Sequence, residues 1–195
     1  MVILLLGRLS GAVINPAITL AAASAGLLNR RLVVPYIIFQ TGGGILAGFT
    51  LRLIVGSLRD STNLGSTKLA IGVSPIMGLA LEALGTFVLA SVALTATARI
   101  RKAGYQALFV GITLALLILF VGPFTGAGLN PARSLGPSLA AGYFSNLCIY
   151  IAGPVSGALL AGFLFRPITS ECGSVDTASG KMNGAVGREP SPEFT

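Results

Sequence analysis

One short motif occurs twice in this chain of 195 residues, and the duplication restricts the possible folds more than any other feature. It reads SGAVINPAITL from position 10 and TGAGLNPARSLG from position 125. Both copies contain Asn-Pro-Ala, formed by Asn15, Pro16 and Ala17 in the first copy and by Asn130, Pro131 and Ala132 in the second. Asn is a preferred N-cap residue, and Pro at the first helical position loses no intrahelical bond. Each copy therefore predicts the start of a short helix.

The composition places these short helices in a membrane. The chain is 53% hydrophobic and 10% charged, with a mean hydropathy of +0.86, which is typical of integral membrane proteins. A helix that begins inside a bilayer leaves backbone N–H groups without partners at its N-terminus. Such groups are tolerated at that depth only where they line a water-filled cavity or are buried in protein. The duplicated motif therefore indicates a pore.

Charge and the absence of histidine exclude several other classes of protein. The net charge of +7 comes from basic residues scattered between apolar runs, and no basic stripe is interleaved with aromatic residues, so a nucleic-acid partner is not predicted. The scatter fits the rule that cytoplasmic loops are positive. The sequence contains no histidine, which removes histidine-based acid/base chemistry, nucleophile pairs and metal sites. We predict no enzyme activity, no cofactor and no metal.

Four apolar stretches are long enough to cross about 30 Å of hydrocarbon. They cover residues 32–57, 75–98, 105–122 and 146–165, and the half-length helices that follow the motifs are predicted to reach residues 28 and 141. Pro123 is predicted to end the third span. Arg52, near one end of the first span, is interpreted as an interfacial anchor. The apolar residues 1–6 indicate the end of a longer helix.

The C-terminal part of the chain differs in composition from the rest. Residues 168–195 are rich in Ser, Gly, Pro and charge and contain few apolar side chains. Such a segment cannot bury a core, so we predict a disordered cytoplasmic tail there. The remaining residues, 1–167, are predicted to form a single channel domain.

The number of spans between the motifs predicts an inverted repeat. Three spans separate the two copies, so the second copy enters the membrane from the opposite face. The similarity extends into the following spans: the fourteen residues from Tyr36 and the fourteen from Tyr150 share seven identities at an offset of 114. In inverted repeats of this kind the half-helices meet near the midplane with their positive dipole ends facing each other. We therefore expect Asn15 and Asn130 to offer amide donors there to passing solutes.

Two charged residues stand out near the predicted pore. Glu82 lies alone in the second span, where it either binds backbone N–H groups of a non-helical loop, the favoured interpretation, or carries protons. Arg133 follows the second motif where the first motif has Ile18. A guanidinium with five donors in an apolar setting indicates a constriction on the outer side that binds hydroxyl oxygens and repels cations.

The paired motifs between inverted spans resemble those of the aquaporin, or major intrinsic protein, family from position 10 to about position 167. The resemblance implies an all-α inverted-repeat bundle whose two half-helices meet at the midplane, and a homotetramer in the bilayer that passes water or small uncharged solutes passively. We expect the plasma membrane as its location. It also implies a structural role for the buried Glu82.

The same resemblance implies a selectivity filter formed by Ile118, Ala127 and Arg133. Water-selective members typically carry histidine at the position of Ile118, so this filter is expected to be wider and more apolar, and to admit glycerol or metalloid hydroxides. The pattern is similar to that of nodulin-like intrinsic proteins of plants and their bacterial relatives. Compared with six full spans in the family, we expect the first helix and most of the second, with its filter residue, to be missing.

Two alternatives to a conducting channel remain open at this point. An inverted-repeat secondary transporter would need a pair of ionisable residues within the membrane. Glu82 alone is weak support for such a pair. A non-conducting or truncated subunit that modulates full-length partners would keep the fold without the flux.

Overall fold

The computed structural model describes residues 11, 13–55 and 63–179, with side chains through residue 165. Six α-helices form this part of the chain. They are α1 (Pro16–Ser24), α2 (Val33–Val55), α3 (Pro75–Arg99), α4 (Ala103–Thr125), α5 (Pro131–Ala141) and α6 (Ile149–Ser179). Two short 3-10 turns, Arg30–Leu32 and Asn63–Gly65, precede α2 and α3.

Three of the helices, α2, α3 and α4, are long and apolar enough to cross a membrane. The last helix adds the apolar segment Ile149–Phe165. Side chains on the outer faces of α2 and α4, such as Leu53, Ile54 and Phe120, are more than 70% exposed. An apolar surface of this extent is stable in lipid and not in water. The chain is therefore an integral membrane protein, and the predicted all-helical architecture is confirmed.

Both half-length helices begin where the motifs predict. The side chain of Asn15 caps α1 by accepting a hydrogen bond from the amide of Ala17 at 2.9 Å, and Pro16 is the first helical residue. Asn130 caps α5 in the same way through Ala132 at 3.0 Å. The first half-helix is shorter than predicted, because its last turn closes at Ser24 and Gly26 adopts a positive φ of 81°.

The third membrane helix continues past its predicted end. Pro123 lies inside α4, which extends to Thr125. A proline near the end of a helix gives up one backbone bond without preventing another turn. The helix stops at Gly126, whose left-handed φ of 78° ends it as a C-terminal cap.

The two half-helices pack against equivalent membrane helices. Helix α5 crosses α2, where a Cβ on Gly48 would collide with the carbonyl oxygen of Gly136. Helix α1 crosses α6, where a Cβ on Gly162 would lie 2.5 Å from the carbonyl oxygen of Ala21. Gly162 follows Gly48 by 114 positions, and Gly136 follows Ala21 by 115. The repeat predicted from the sequence is therefore present in the packing as well.

The tightest contact between full-length helices joins α3 and α6. Gly153 and Gly157, at the spacing of small residues that permits close approach in lipid, lie against α3. A Cβ on Gly157 would collide with the carbonyl oxygen of Ala83, so the two backbones touch there. Small side chains continue this packing into a core that includes Ala17, Ala90 and Ala158.

The last helix extends beyond the predicted domain boundary. Its backbone is helical to Ser179, whereas the fourth span was expected to end near residue 165 and the tail to begin at 168. Loss of apolar character ends the part that fits a bilayer, but it does not by itself end a helix. Residues 1–10, including the predicted helix end at 1–6, and residues 180–195 lie outside the described part of the chain.

Candidate functional site

The two motif asparagines meet at the centre of the site. The Nδ2 atom of Asn15 donates to the carbonyl oxygen of Leu129 at 2.8 Å, and Nδ2 of Asn130 donates to the carbonyl oxygen of Ile14 at 3.1 Å. Each asparagine thus binds the residue that precedes the other one. These reciprocal bonds join the N-termini of α1 and α5 head to head, as the inverted repeat predicts.

Each asparagine amide performs two tasks at this junction. The Oδ1 atom of Asn130 accepts from the amides of Ala132 and Arg133, at 3.0 and 3.4 Å, and so fixes the orientation of its side chain. One N–H of the Nδ2 group is used by the bond to Ile14, which leaves the second N–H as a donor. Asn15 is 7% exposed and Asn130 is partly exposed, so Asn130 presents more of its amide to the cavity described below.

The second motif loop, residues 126–130, is held by one buried carboxylate. Glu82 is completely buried, and its Oε1 atom accepts from the amide of Gly128 at 2.8 Å while Oε2 accepts from the amide of Leu129 at 2.7 Å. Oε1 also accepts from the hydroxyl of Thr125 at 2.6 Å. Hydrogen bonds to an ionised acceptor are short and strong. The geometry agrees with the favoured interpretation of Glu82, in which it binds a non-helical loop.

Two further side chains support the second motif loop from neighbouring helices. The hydroxyl of Thr125 accepts from the amide of Ala127 at 3.1 Å, and Tyr150 on α6 donates to the carbonyl oxygen of Thr125 at 2.8 Å. The loop needs this support because Ala127 and Leu129 both have positive φ, at 46° and 51°, a conformation that costs energy in residues with a Cβ. The sequence analysis did not assign a role to Tyr150, whose position in an apolar run is typical of a core residue.

The first motif loop, residues 13–15, is held by an amide instead. Gln40 on α2 donates through Nε2 to the carbonyl oxygen of Val13 at 2.7 Å and to the hydroxyl of Thr19 at 2.8 Å. Thr19 in turn donates to the carbonyl oxygen of Asn15 at 3.1 Å. Gln40 was missed in the sequence analysis, although a single amide side chain within an apolar span is a signal of this kind of contact.

Arg133 lies in the first turn of α5, beside the junction. Its Nη1 atom donates to the carbonyl oxygen of Gly65 at 3.1 Å, which anchors the guanidinium to the loop before α3. Gly65 has a φ of 71° and belongs to the short 3-10 turn. Arg133 as a residue is exposed, and its guanidinium has four donors besides the one that this distance describes.

The other two predicted filter residues lie next to each other. A Cβ placed on Gly122 would be 3.9 Å from Ile118 and 4.0 Å from Ala127, so both side chains border the same position on α4. Ile118 is 50% exposed, whereas Ala127 is buried. Neither residue lines the cavity that contains Arg133.

An open cavity of about 810 Å³ reaches the junction from the side of α2. Its polar wall contains Gln40, Asn130 and Arg133, and its apolar wall contains Phe39 and Gly43. The cavity therefore brings one motif asparagine, Asn130, and Arg133 into a common space. An apolar wall with a few convergent donors is typical of a path for small polar molecules.

A membrane bundle in which two half-helices meet head to head between inverted repeats defines the aquaporin-like fold. Residues 1–165 match the family described as Major intrinsic protein. The chain belongs to this family, as the resemblance of its motifs predicts.

Individual relatives agree with this assignment. The chain is 37% identical to aquaporin NIP1-1 of Zea mays over 163 residues, which cover 83% of this chain and 56% of that protein. It is also 37% identical to a probable aquaporin AqpM of Archaeoglobus fulgidus over 177 residues, which cover 87% of this chain and 72% of that protein. The chain spans about half the length of the plant relatives it matches.

A solved structure shares the fold. The aquaglyceroporin from Plasmodium falciparum superposes with a TM-score of 0.75 at 21% sequence identity, over 90% of this chain and 79% of that one. At this level of identity the similarity establishes the architecture alone.

Proposed function

We propose that the protein is a passive membrane channel for water and small uncharged solutes of glycerol or metalloid-hydroxide size, and that it excludes protons and ions. The junction of Asn15 with Asn130 carries this proposal, because it places two positive helix ends and two amide donors at one point. Opposed dipoles repel cations and interrupt a proton-conducting file of water. Membership of the major intrinsic protein family supports the same function.

The filter of this channel is proposed to consist of Ile118, Ala127 and Arg133. Arg133 supplies exposed donors for hydroxyl oxygens and a positive charge against cations, and its bond to Gly65 supports a fixed position. The proposed apolar part of the filter is the half-exposed side chain of Ile118, with the buried Ala127 bordering the same position on α4. Without a histidine at position 118, the constriction is wider than one selective for water.

The proposed surroundings of the channel are those that membership of the family supports. The proposed setting is a lipid bilayer, in which four copies assemble as a homotetramer with one pore in each. The protein is proposed to lie in the plasma membrane with its C-terminal tail in the cytoplasm. The large exposed apolar faces of α2 and α4 are available to lipid and to neighbouring copies.

Flux measurements on liposomes test the proposal. Vesicles that carry the protein should shrink faster in an osmotic gradient, and swell faster in a glycerol or boric acid gradient, than empty vesicles. The variant I118H should reduce glycerol permeability more than water permeability, because a polar ring narrows the constriction. S91A is the matched control, since this hydroxyl bonds to its own helix. Equal rates in protein-bearing and empty vesicles would contradict the proposal.

A second candidate is a subunit that does not conduct alone and modulates longer partners. Normal insertion and assembly without flux, together with altered flux of a co-expressed longer relative, would identify such a subunit. A secondary transporter is disfavoured because both oxygens of Glu82 are engaged; a flux that requires a proton or sodium gradient would restore it.

A further inference from the structure

One face of α2 is matched to the backbone of the second half-helix. Gln40, Gly44, Gly48 and Arg52 follow one another at intervals of four residues, so they share a face of the helix. A Cβ on Gly44 would lie 2.6 Å from the carbonyl oxygen of Ala132, and one on Gly48 would collide with that of Gly136. The two backbones are therefore in direct contact along two turns.

Arg52 continues this contact at the end of α5. Its Nη1 atom donates to the carbonyl oxygen of Ala140 at 2.8 Å. The three carbonyls on α5, those of Ala132, Gly136 and Ala140, are also spaced by four residues. They face Gly44, Gly48 and Arg52 of α2 in the same order. The interpretation of Arg52 as a mere interfacial anchor leaves this bond without a role.

The carbonyl of Ala140 is an end group of α5 that needs a donor from elsewhere. The last four carbonyls of a helix have no partner within it. Ser138 and Leu139 find theirs nearby, from the amides of Tyr143 at 3.0 Å and Gly142 at 3.3 Å. Arg52 supplies the donor for Ala140, and its positive charge also complements the negative end of the helix dipole.

The opposite end of the same helix carries the filter arginine. Helix α5 has 11 residues and begins at Pro131, so Arg133 and Ala140 belong to one rigid element about 16 Å long. A displacement of α5 along α2 would move Arg133 relative to the carbonyl of Gly65, which lies in a different loop.

We propose that Arg52 is a positioning residue that fixes the axial position of α5 on α2 and thereby the height of Arg133 in the pore. The glycine contacts hold the two helices close together without a directional bond, and the junction bond of Asn130 holds only the N-terminal end of α5. The hydrogen bond from Arg52 to Ala140 is directional and fixes the C-terminal end of α5 on α2. The effect of Arg52 on permeability rests on the proposed channel function. The hydrogen bond from Arg52 to Ala140 does not depend on that function.

The experiment compares R52A, R52Q and R52K with the control T50A, whose hydroxyl bonds only to Leu46 of its own helix in the described structure. We expect R52A to change the ratio of glycerol to water permeability at least threefold in liposomes, because Arg133 moves. R52K retains a charged donor and should restore much of the ratio, and R52Q should restore less. T50A should match the wild type.

Hydrogen exchange provides a readout that does not depend on flux. Amides of residues 138–146 should exchange faster in R52A than in the wild type or T50A. An unchanged permeability ratio, or equal losses of water and glycerol permeability, would overturn the positioning role. If the wild type conducts nothing, the proposed function fails by itself. In that case the hydrogen-exchange measurement alone tests whether Arg52 holds the end of α5. Unchanged amide exchange of residues 138–146 in R52A would then overturn this proposal as well.

Discussion

The two motif loops have nearly the same sequence but are held by different chemistry. The second loop surrounds the buried carboxylate of Glu82, which accepts from two loop amides and a threonine hydroxyl. The first loop presents a carbonyl, at Val13, to the amide donor of Gln40. Glu82 is the single carboxylate among the residues whose side chains the structure describes. Within the part of the chain that the structure describes, the two copies of the motif therefore have different supports.

The difference has a physical consequence for stability. Loss of a charged acceptor leaves several buried donors without partners, and each costs about 1–3 kcal/mol. Loss of a neutral donor next to an open cavity exposes one carbonyl that water can reach. The second motif loop should thus depend strongly on its support and the first only weakly. The following variants test this asymmetry.

The largest effect is expected for E82L. Leucine removes the acceptor of Thr125, Gly128 and Leu129 in a completely buried position, so the free energy of unfolding should fall by roughly 3 kcal/mol or more. Thermal unfolding in detergent measures the loss, with S91A on the same helix as the control. A loss below 1 kcal/mol would show that the second motif loop is stable without its carboxylate, and the asymmetry would disappear.

A smaller effect is expected from a charge placed at the junction, and it should differ between the two asparagines. Both N15D and N130D keep the oxygen that caps the helix but lose the bond across the junction. Asn15 is more deeply buried than Asn130, so the new carboxylate costs more there. We expect N15D to be less stable than N130D by about 1–2 kcal/mol.

The same pair of variants tests the barrier to cations. A negative charge at the positive ends of α1 and α5 attracts cations, so both variants should raise sodium or proton leakage into liposomes above that of the wild type. N130D should leak more, because Asn130 lines the open cavity. Equal stability and equal leakage would mean that the two asparagines share one environment, contrary to the structure.

The first motif loop should tolerate loss of its support. Q40L removes the donor of Val13 and the partner of Thr19, and we expect the free energy of unfolding to fall by about 1 kcal/mol. The control T113A removes a hydroxyl that bonds to its own helix. The free energies of unfolding of Q40L and E82L, measured under the same conditions, compare the two motif loops directly. A loss from Q40L as large as that from E82L would reverse the comparison.

Parts of this arrangement could be predicted from sequence because they depend on local chemistry. Asn before Pro determines a helix start, and a duplicated Asn-Pro-Ala separated by three spans determines opposite orientations, so the starts of α1 and α5 were predicted correctly, whereas the end of α1 was not. The contacts of Gln40, Tyr150 and Arg52 were missed, since their partners lie at least 21 positions away and depend on how the helices cross. Arg133 drew attention by its charge, but its anchor at Gly65 is a backbone carbonyl with no sequence signal.

An effect similar in size to that of Q40L is expected for Y150F, which separates the supports within the second motif loop. Tyr150 is fully buried and donates one neutral hydrogen bond to the carbonyl of Thr125, so its loss should cost about 0.5–1.5 kcal/mol. The control Y105F alters an exposed ring and should leave unfolding unchanged. Permeability of Y150F should stay near that of the wild type, because Glu82 still binds the loop amides. If Y150F instead abolishes flux while E82L spares it, the tyrosine holds the loop and the carboxylate does not.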